Sequence, residues 1–197
     1  MTRYVMVADI NRCVGCQTCT AACKHTNATA PGVQWRKVLD FEVGTYPDVR
    51  RAFIPVGCNH CLDAPCADVC PTGATLFGTR KELLAEAKKR LAAKSGEVYT
   101  YPRGRASDEL HTHEKVAPTY QQHIYGEHEV GGTQVMHIAG VPLKKLGMPE
   151  LPDRSYASIA EGVQHTLYKG MIAPAIALAG LAYVVKRNTS NSDQDDE

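Results

Sequence analysis

All eight cysteines of this 197-residue chain fall in two short runs. The first is Cys13-x-x-Cys16-x-x-Cys19-x-x-x-Cys23. The second is Cys58-x-x-Cys61-x-x-x-x-Cys66-x-x-x-Cys70, closing on Pro71. Nothing else in the sequence restricts the fold so tightly, because each run must bend its backbone until its sulfurs converge. Closely spaced thiols, a fourth three residues on, then proline form the pattern that ligates an iron–sulfur cluster. A disulfide framework would not need matched runs with short gaps. Zinc is the closer rival, since Cys-x-x-Cys knuckles build tetrahedral thiolate sites. Zinc knuckles usually offer two ligands each, whereas Cys13, Cys16 and Cys19 bring three into one tight loop. Such a loop suits one face of a cubane and leaves the remaining iron for a distant ligand.

Where two such runs share a chain, the fourth cysteine of each ligates the other run's cluster. The expectation is therefore two [4Fe-4S] clusters. One sits on Cys13, Cys16, Cys19 and Cys70, the other on Cys58, Cys61, Cys66 and Cys23. Backbone N–H groups of residues 14–20 and 59–64 are the expected donors to the sulfurs. His60, between two ligands, reads as a surface histidine rather than a tuning charge.

Composition limits the alternatives. The net charge of +1 offers nothing to nucleic acid. Three Phe and one Trp make a thin apolar core for the first hundred residues, and small domains of that kind commonly need a metal staple. The eight histidines are scattered, so no second, histidine-based metal site is expected. Nor is there a Ser–His–Asp pattern, a phosphate-binding glycine loop or a carboxylate pair for acid–base work. The chain is expected to carry electrons, not to be an enzyme on its own.

Along the chain, Tyr4 to Ile10 reads as a strand entering the first run, and Thr18 to His25 as a short helix. Val33, Trp35, Leu39, Phe41 and Val43 share one face at period two, which predicts a strand or hairpin between the runs. Phe53 to Val56 feeds the second run. Ligand loops on short strands, with helices after them, predict an α+β, two-cluster ferredoxin-like module over residues 1–98. Within it, Arg80 to Lys94 is the clearest helix. Thr79 and Glu82 make a capping box, Leu84, Ala87 and Leu91 an apolar stripe, and Gly96 a stop. Lys81, Lys88, Lys89 and Arg90 read as its solvated basic face.

Residues 99–166 are punctuated by Pro and Gly with little periodicity, which predicts an extended partner-binding arm. Gly170 to Val185 carries no charge. At 1.5 Å per residue it spans roughly 24 Å, short of the ~30 Å hydrocarbon core, with Lys169, Lys186 and Arg187 able to snorkel. This predicts a C-terminal transmembrane helix over 167–187, with Pro174 in its first turn and His165 at headgroup level. The Lys186-Arg187 pair weakly places the C-terminus in the cytoplasm and the clusters on the periplasmic side. Residues 188–197 read as a disordered polar tail. Met1 to Ile10 lacks a basic stretch followed by an apolar run, so no secretory signal is visible.

The segments "DINRCVGCQTCTAACKHTN", "CNHCLDAPCADVCPTGA" and "LFGTRKELLAEAKKRL" resemble the iron–sulfur subunits of membrane-bound molybdenum oxidoreductases and hydrogenases. The tail, "IYGEHEVGGTQVMHIAGVPLKKLGMPELPDRS" followed by "QHTLYKGMIAPAIALAGLAYVVKRN", is similar to the ferredoxin-like, HybA-type subunit of periplasmic quinone-reducing nickel–iron hydrogenases. The resemblance implies hydrogenase-type small and large catalytic subunits as partners, an integral membrane quinone-reducing subunit, and a relay of electrons between them. One departure is large. Members of that family carry four cysteine runs and this chain two. Residues up to about Cys66 resemble the family's first two runs, whereas Cys70-Pro71-Thr72-Gly73-Ala74 resembles the end of its fourth. The competing reading is a membrane-tethered scaffold in which clusters or zinc only hold the fold.

Overall fold

The computed structural model describes residues 2–58, 61–108 and 110–192. It divides into two compact units, residues 1–153 and 154–197.

The first unit is built around β1 (Tyr4–Asp9), which is buried on both faces. This is why its sequence is a nearly continuous apolar run rather than a strict alternation. It pairs antiparallel with β4 (Thr75–Thr79) and parallel with β7 (Val135–Ile138), giving the order β4-β1-β7. Side chains alternate across the sheet. Val5, Val7, Leu76, Met136 and Ile138 face one way and pack on Leu83 and Ala87 of the helix α3 (Arg80–Ala92), with Tyr120 and Ile124. Met6 and Phe77 face the other way and pack on Cys19, Ala64, Cys66 and Ala67. The sheet thus separates a layer without cysteines from a cysteine-bearing one.

The cysteine-bearing layer is completed by α1 (Thr18–Thr26), the four-residue α2 (Pro65–Asp68), and a hairpin of β2 (Arg36–Thr45) and β3 (Asp48–Gly57). The period-two stripe holds for Leu39, Phe41 and Val43, which pack with Ile54, Ile10, Ala139 and Leu146. Val33 and Trp35 precede the strand and are exposed. On the opposite face of β2, Arg36 and Val38 point toward the cysteines.

The α3 capping box forms as expected, with the Thr79 hydroxyl accepting from the Glu82 N–H and the Glu82 carboxylate accepting from the Thr79 N–H. Thr79→Ala is expected to cost about 1 kcal/mol, read as a lower urea midpoint. Of the expected α3 stripe, Ala87 is buried and Leu84 and Leu91 pack partly buried against the core. Leu83, outside that stripe, is buried as fully as Ala87, and Arg90, expected on the solvated face, is 0 % exposed. Arg90 donates to Asp9 at 3.0 Å, to Glu86 at 2.8 Å and to the Gly73 carbonyl at 3.1 Å. Asp9 is itself fully buried and also accepts from the Tyr120 hydroxyl at 2.7 Å. A cation satisfied on three sides can leave water, as a lone one cannot.

Between residues 99 and 153 the chain does not form the expected extended arm. It contributes β5 (Val98–Pro102) and β6 (Thr112–Val116), paired with each other, and then β7 in the central sheet. Tyr101, Tyr120, Ile124, Met136 and Ile138 from this segment are buried in the core.

The second unit is dominated by α4 (Tyr156–Ser192), 37 residues long. It is long and apolar enough to cross a membrane, and Ile172, Ile176, Leu178 and Leu181 are exposed along it. At about 1.5 Å per residue it runs roughly 55 Å, well beyond the uncharged stretch from which the anchor was expected. Pro174 therefore lies inside the helix rather than in its first turn. It cannot donate to the Gly170 carbonyl, a defect that transmembrane helices tolerate. Residues 188–192 are helical, not part of a disordered tail, and 193–197 lie outside the described residues.

Candidate metal centre

Local backbone brings the first run into a tight loop. Gly15 has φ +69°, and a Cβ there would stand 2.6 Å from the Phe53 ring, so the loop between Cys13 and Cys16 admits only glycine. The loop leads into α1, where Cys19 and Cys23 occupy positions one turn apart on its buried face. In the second run, α2 carries Cys66 and its end delivers Cys70. All eight cysteines are free thiols. Cys19, Cys23, Cys66 and Cys70 are buried, Cys13, Cys58 and Cys61 half-buried, and Cys16 exposed.

The two runs interleave. Cys23, at the end of the first run, lines a cavity of about 510 Å³ together with Cys58, Cys61 and Cys66 of the second. Met6, Arg36 and Phe77 form part of the same wall. On the other side, the thiols whose charge bears on Cys13 are Cys70, then Cys19 and Cys16. Cys19 also bears on Cys66 and packs in the same cluster, so the two groups adjoin.

Polar atoms converge on the sulfurs. The Gly15 N–H bonds Cys13, the Thr18 hydroxyl donates to Cys16 at 3.2 Å, and the Thr72 hydroxyl stands 3.8 Å from Cys70. Asn27 donates to Cys23 at 3.7 Å, and the Arg36 N–H bonds the same sulfur. Of the expected backbone donors, Gly15 is in place, whereas Asn59 and His60 lie outside the described residues.

Burial pushes the Cys13 and Cys66 thiols up to about 11, and neighbouring thiols add to the rise. Cys23 is raised for the same reasons. A group of buried thiols that resist ionising together is a donor set that calls for bound cations, whose charge offsets the repulsion and which release the thiol protons on binding. Among the described residues, no three Cys, His, Asp or Glu side chains gather closely enough for a single ion. A tetrahedral zinc site would need its sulfurs about 2.3 Å from one point, whereas a cubane holds each thiolate on a different corner. The residues present fit an iron–sulfur cluster.

Sequence reasoning missed Arg36. The available signal was its place in β2, in step with Val38 and out of step with Leu39, Phe41 and Val43. It also missed His137, which is buried on β7 with both ring nitrogens lacking partners. Burial, helped by the Arg36 charge, lowers His137 from 6.5 to about 4. The unfolded chain takes up a proton near 6.5 and the folded one only near 4. This contribution is therefore complete above pH 6.5 and lost as pH falls from there toward 4. The loss is about 3 kcal/mol. His137→Leu is expected to flatten the pH dependence of the urea midpoint across that window.

No family model matches the chain. It is 53 % identical over 133 residues to the Hydrogenase-2 operon protein HybA of Escherichia coli O157:H7, a match covering 66 % of this chain and 39 % of that protein. It is 51 % identical over 72 residues to the arsenate respiratory reductase iron–sulfur subunit ArrB of Shewanella sp. (strain ANA-3), covering 36 % of this chain and 31 % of the relative. It is 45 % identical over 74 residues to protein NrfC of Escherichia coli (strain K12), covering 37 % and 33 %. The chain spans about two fifths of the length of the HybA relatives it matches. The resemblance drawn from the cysteine runs and the tail therefore stands: over two thirds of its length this chain is similar to HybA, and over a shorter stretch to an iron–sulfur subunit of a respiratory reductase.

Proposed function

We propose that the chain is a non-catalytic electron-transfer subunit of a membrane-bound, hydrogenase-like oxidoreductase complex. It holds one [4Fe-4S] cluster on Cys13, Cys16, Cys19 and Cys70 and another on Cys58, Cys61, Cys66 and Cys23. Each cluster, when bound, accepts and releases one electron at a time, at a potential governed by nearby charge, hydrogen bonds and solvent. The chain's own groups hold the thiolates in register, donate hydrogen bonds to them, and exclude water through Met6, Phe77 and Val38. Electrons enter from hydrogenase-type small and large subunits and leave to an integral membrane, quinone-reducing subunit. In this reading α4 anchors the chain, with the cluster-bearing unit on the periplasmic side.

The observation that carries the reading is the cavity walled by Cys23, Cys58, Cys61 and Cys66. It joins the fourth thiol of one run to three of the other, as a two-cluster carrier requires. The similarity to HybA and ArrB supports the kind of complex. Iron and acid-labile sulfide analysis tests it. Two cubanes' worth of each per chain is expected, with a visible absorbance that dithionite bleaches reversibly and a matching paramagnetic signal. A colourless, zinc-loaded chain would refute it.

A further inference from the structure

The two cysteine groups sit in different electrostatic surroundings. Beside the Cys13 group, the buried charges balance. Arg12, 4 % exposed, and Arg90 flank the Tyr101 ring at 3.9 and 5.0 Å. Both act on the Asp9 carboxylate, and Arg90 also holds Glu86. Two guanidinium groups thus face two acidic side chains, Asp9 and Glu86, with burial holding the Asp9 carboxyl above the usual carboxylate range. Arg12 is further engaged by the Thr72 carbonyl and by His113 Nδ1, each at 2.9 Å.

Beside the Cys23, Cys58, Cys61 and Cys66 group the balance is broken. Arg36 lines their cavity, is 2 % exposed, and among the described residues pairs with no carboxylate. Its two terminal nitrogens donate to neutral atoms, the Met6 sulfur at 3.3 Å and the Thr75 hydroxyl at 2.8 Å, while its Nε has no partner. No Asp or Glu among the described residues lines the cavity. The other cation there, Arg3, is exposed, donates to the Gly132 carbonyl, and is screened by water and salt. His137, the titratable neighbour of Arg36, stays neutral near pH 7. A buried guanidinium without a counter-ion is costly, so the charge it answers lies in the cavity. At Cys66 it is the strongest influence favouring the thiolate.

We propose that Arg36 is the fixed buried cation that gives the Cys23, Cys58, Cys61 and Cys66 centre the higher reduction potential of the two. This rests on the two-cluster reading above. Gaining an electron adds one negative charge to the centre and changes nothing else, so a cation held nearby in a poorly screening interior favours the reduced form. The first electron delivered to the chain therefore settles at this centre, and the Cys13 centre is the upstream one. Arg36 acts as a positioning residue as well, because its N–H bonds the Cys23 sulfur whatever its side chain.

The test is a redox titration of the full-length, iron-loaded chain followed by its paramagnetic signals. Arg36→Gln is expected to lower the higher midpoint by at least the 59 mV of a tenfold one-electron equilibrium, leaving the lower midpoint in place. Arg36→Lys is expected to restore most of it. Unchanged midpoints, equal shifts in both, or an Arg36→Lys chain that behaves like Arg36→Gln would overturn the assignment. If Arg36→Gln loses iron, Cys61→Ser in the chain that keeps Arg36 decides. The signal it alters or abolishes must be the one with the higher potential, and alteration or loss of the other refutes the proposal. A native chain with fewer than two centres refutes the underlying reading itself, an outcome visible in the iron count before any titration.

Discussion

Stripping the iron from the purified chain with a chelator under reducing conditions is expected to abolish cooperative unfolding of residues 1–153. The layer between the sheet and the cysteine loops has few large apolar groups, chiefly Met6 and Phe77, with Ala64, Ala67, Cys19 and Cys66 filling the rest. Its helices are α1 of nine residues and α2 of four, too short to persist alone. Structural metal binding contributes on the order of 10–16 kcal/mol in small zinc domains, while whole domains are stable by only about 5–15 kcal/mol. Losing a term of that size removes the cysteine-bearing layer. The opposite layer, where α3 packs through Leu83 and Ala87 on Val5, Val7 and Leu76, contains no cysteine. Calorimetry should show the main transition vanish while far-ultraviolet circular dichroism keeps much of its helical signal, to which α4 contributes. Hydrogen exchange should become fast over residues 4–26 and 61–79. An iron-free chain that melts at the native temperature would show that packing alone holds this layer.

Arg90→Met is the second large effect, expected to cost about 3–5 kcal/mol, because it removes the direct ion-pair partner of two buried carboxyl groups, Asp9 and Glu86. For a unit of this size that corresponds to a fall in Tm of roughly 6–20 °C. Asp9→Asn combined with Arg90→Met should recover part of the loss, since the amide oxygen still accepts from Tyr120, while Glu86 keeps only the Tyr99 hydroxyl. The coupling is read from a double-mutant cycle of urea unfolding. A single-variant cost below about 1 kcal/mol would mean that water reaches Asp9 once the guanidinium is gone, contrary to its complete burial.

Legibility in the sequence followed the range of the interaction. The capping box at Thr79 and Glu82 depends on residues three apart and was plain. So was α1, and so was the stripe of Leu39, Phe41 and Val43. Arg90 was misread because a helix bearing Lys81, Lys88 and Lys89 presents a basic face by composition. What distinguishes Arg90 is Asp9, 81 positions away in sequence. The strand β7 was missed for a similar reason. A parallel partner to β1 can lie anywhere along the chain, with no turn to announce it, and the Gly- and Pro-rich flanks of Val135–Ile138 suggested an arm. The start of α4 was misplaced because apolarity and helicity are different properties. The segment from Tyr156 to Lys169 is polar in places, with Glu161, Gln164 and His165, yet continues the same helix.

The two cysteine runs by themselves determined a thiolate donor set in two groups, because loop spacing limits which metals the sulfurs can reach. The uncharged stretch after Lys169 likewise determined a helix apolar enough for a membrane. The run pattern also led us to expect Cys23 beside Cys58, Cys61 and Cys66, whereas tertiary structure supplied the cavity that the four line. Tertiary structure alone decided that residues 99–153 close the central sheet, and that the charges beside one group balance while Arg36 stands uncompensated beside the other. Ligand spacing is a local property of the chain, whereas burial and charge pairing depend on what the folded chain brings alongside.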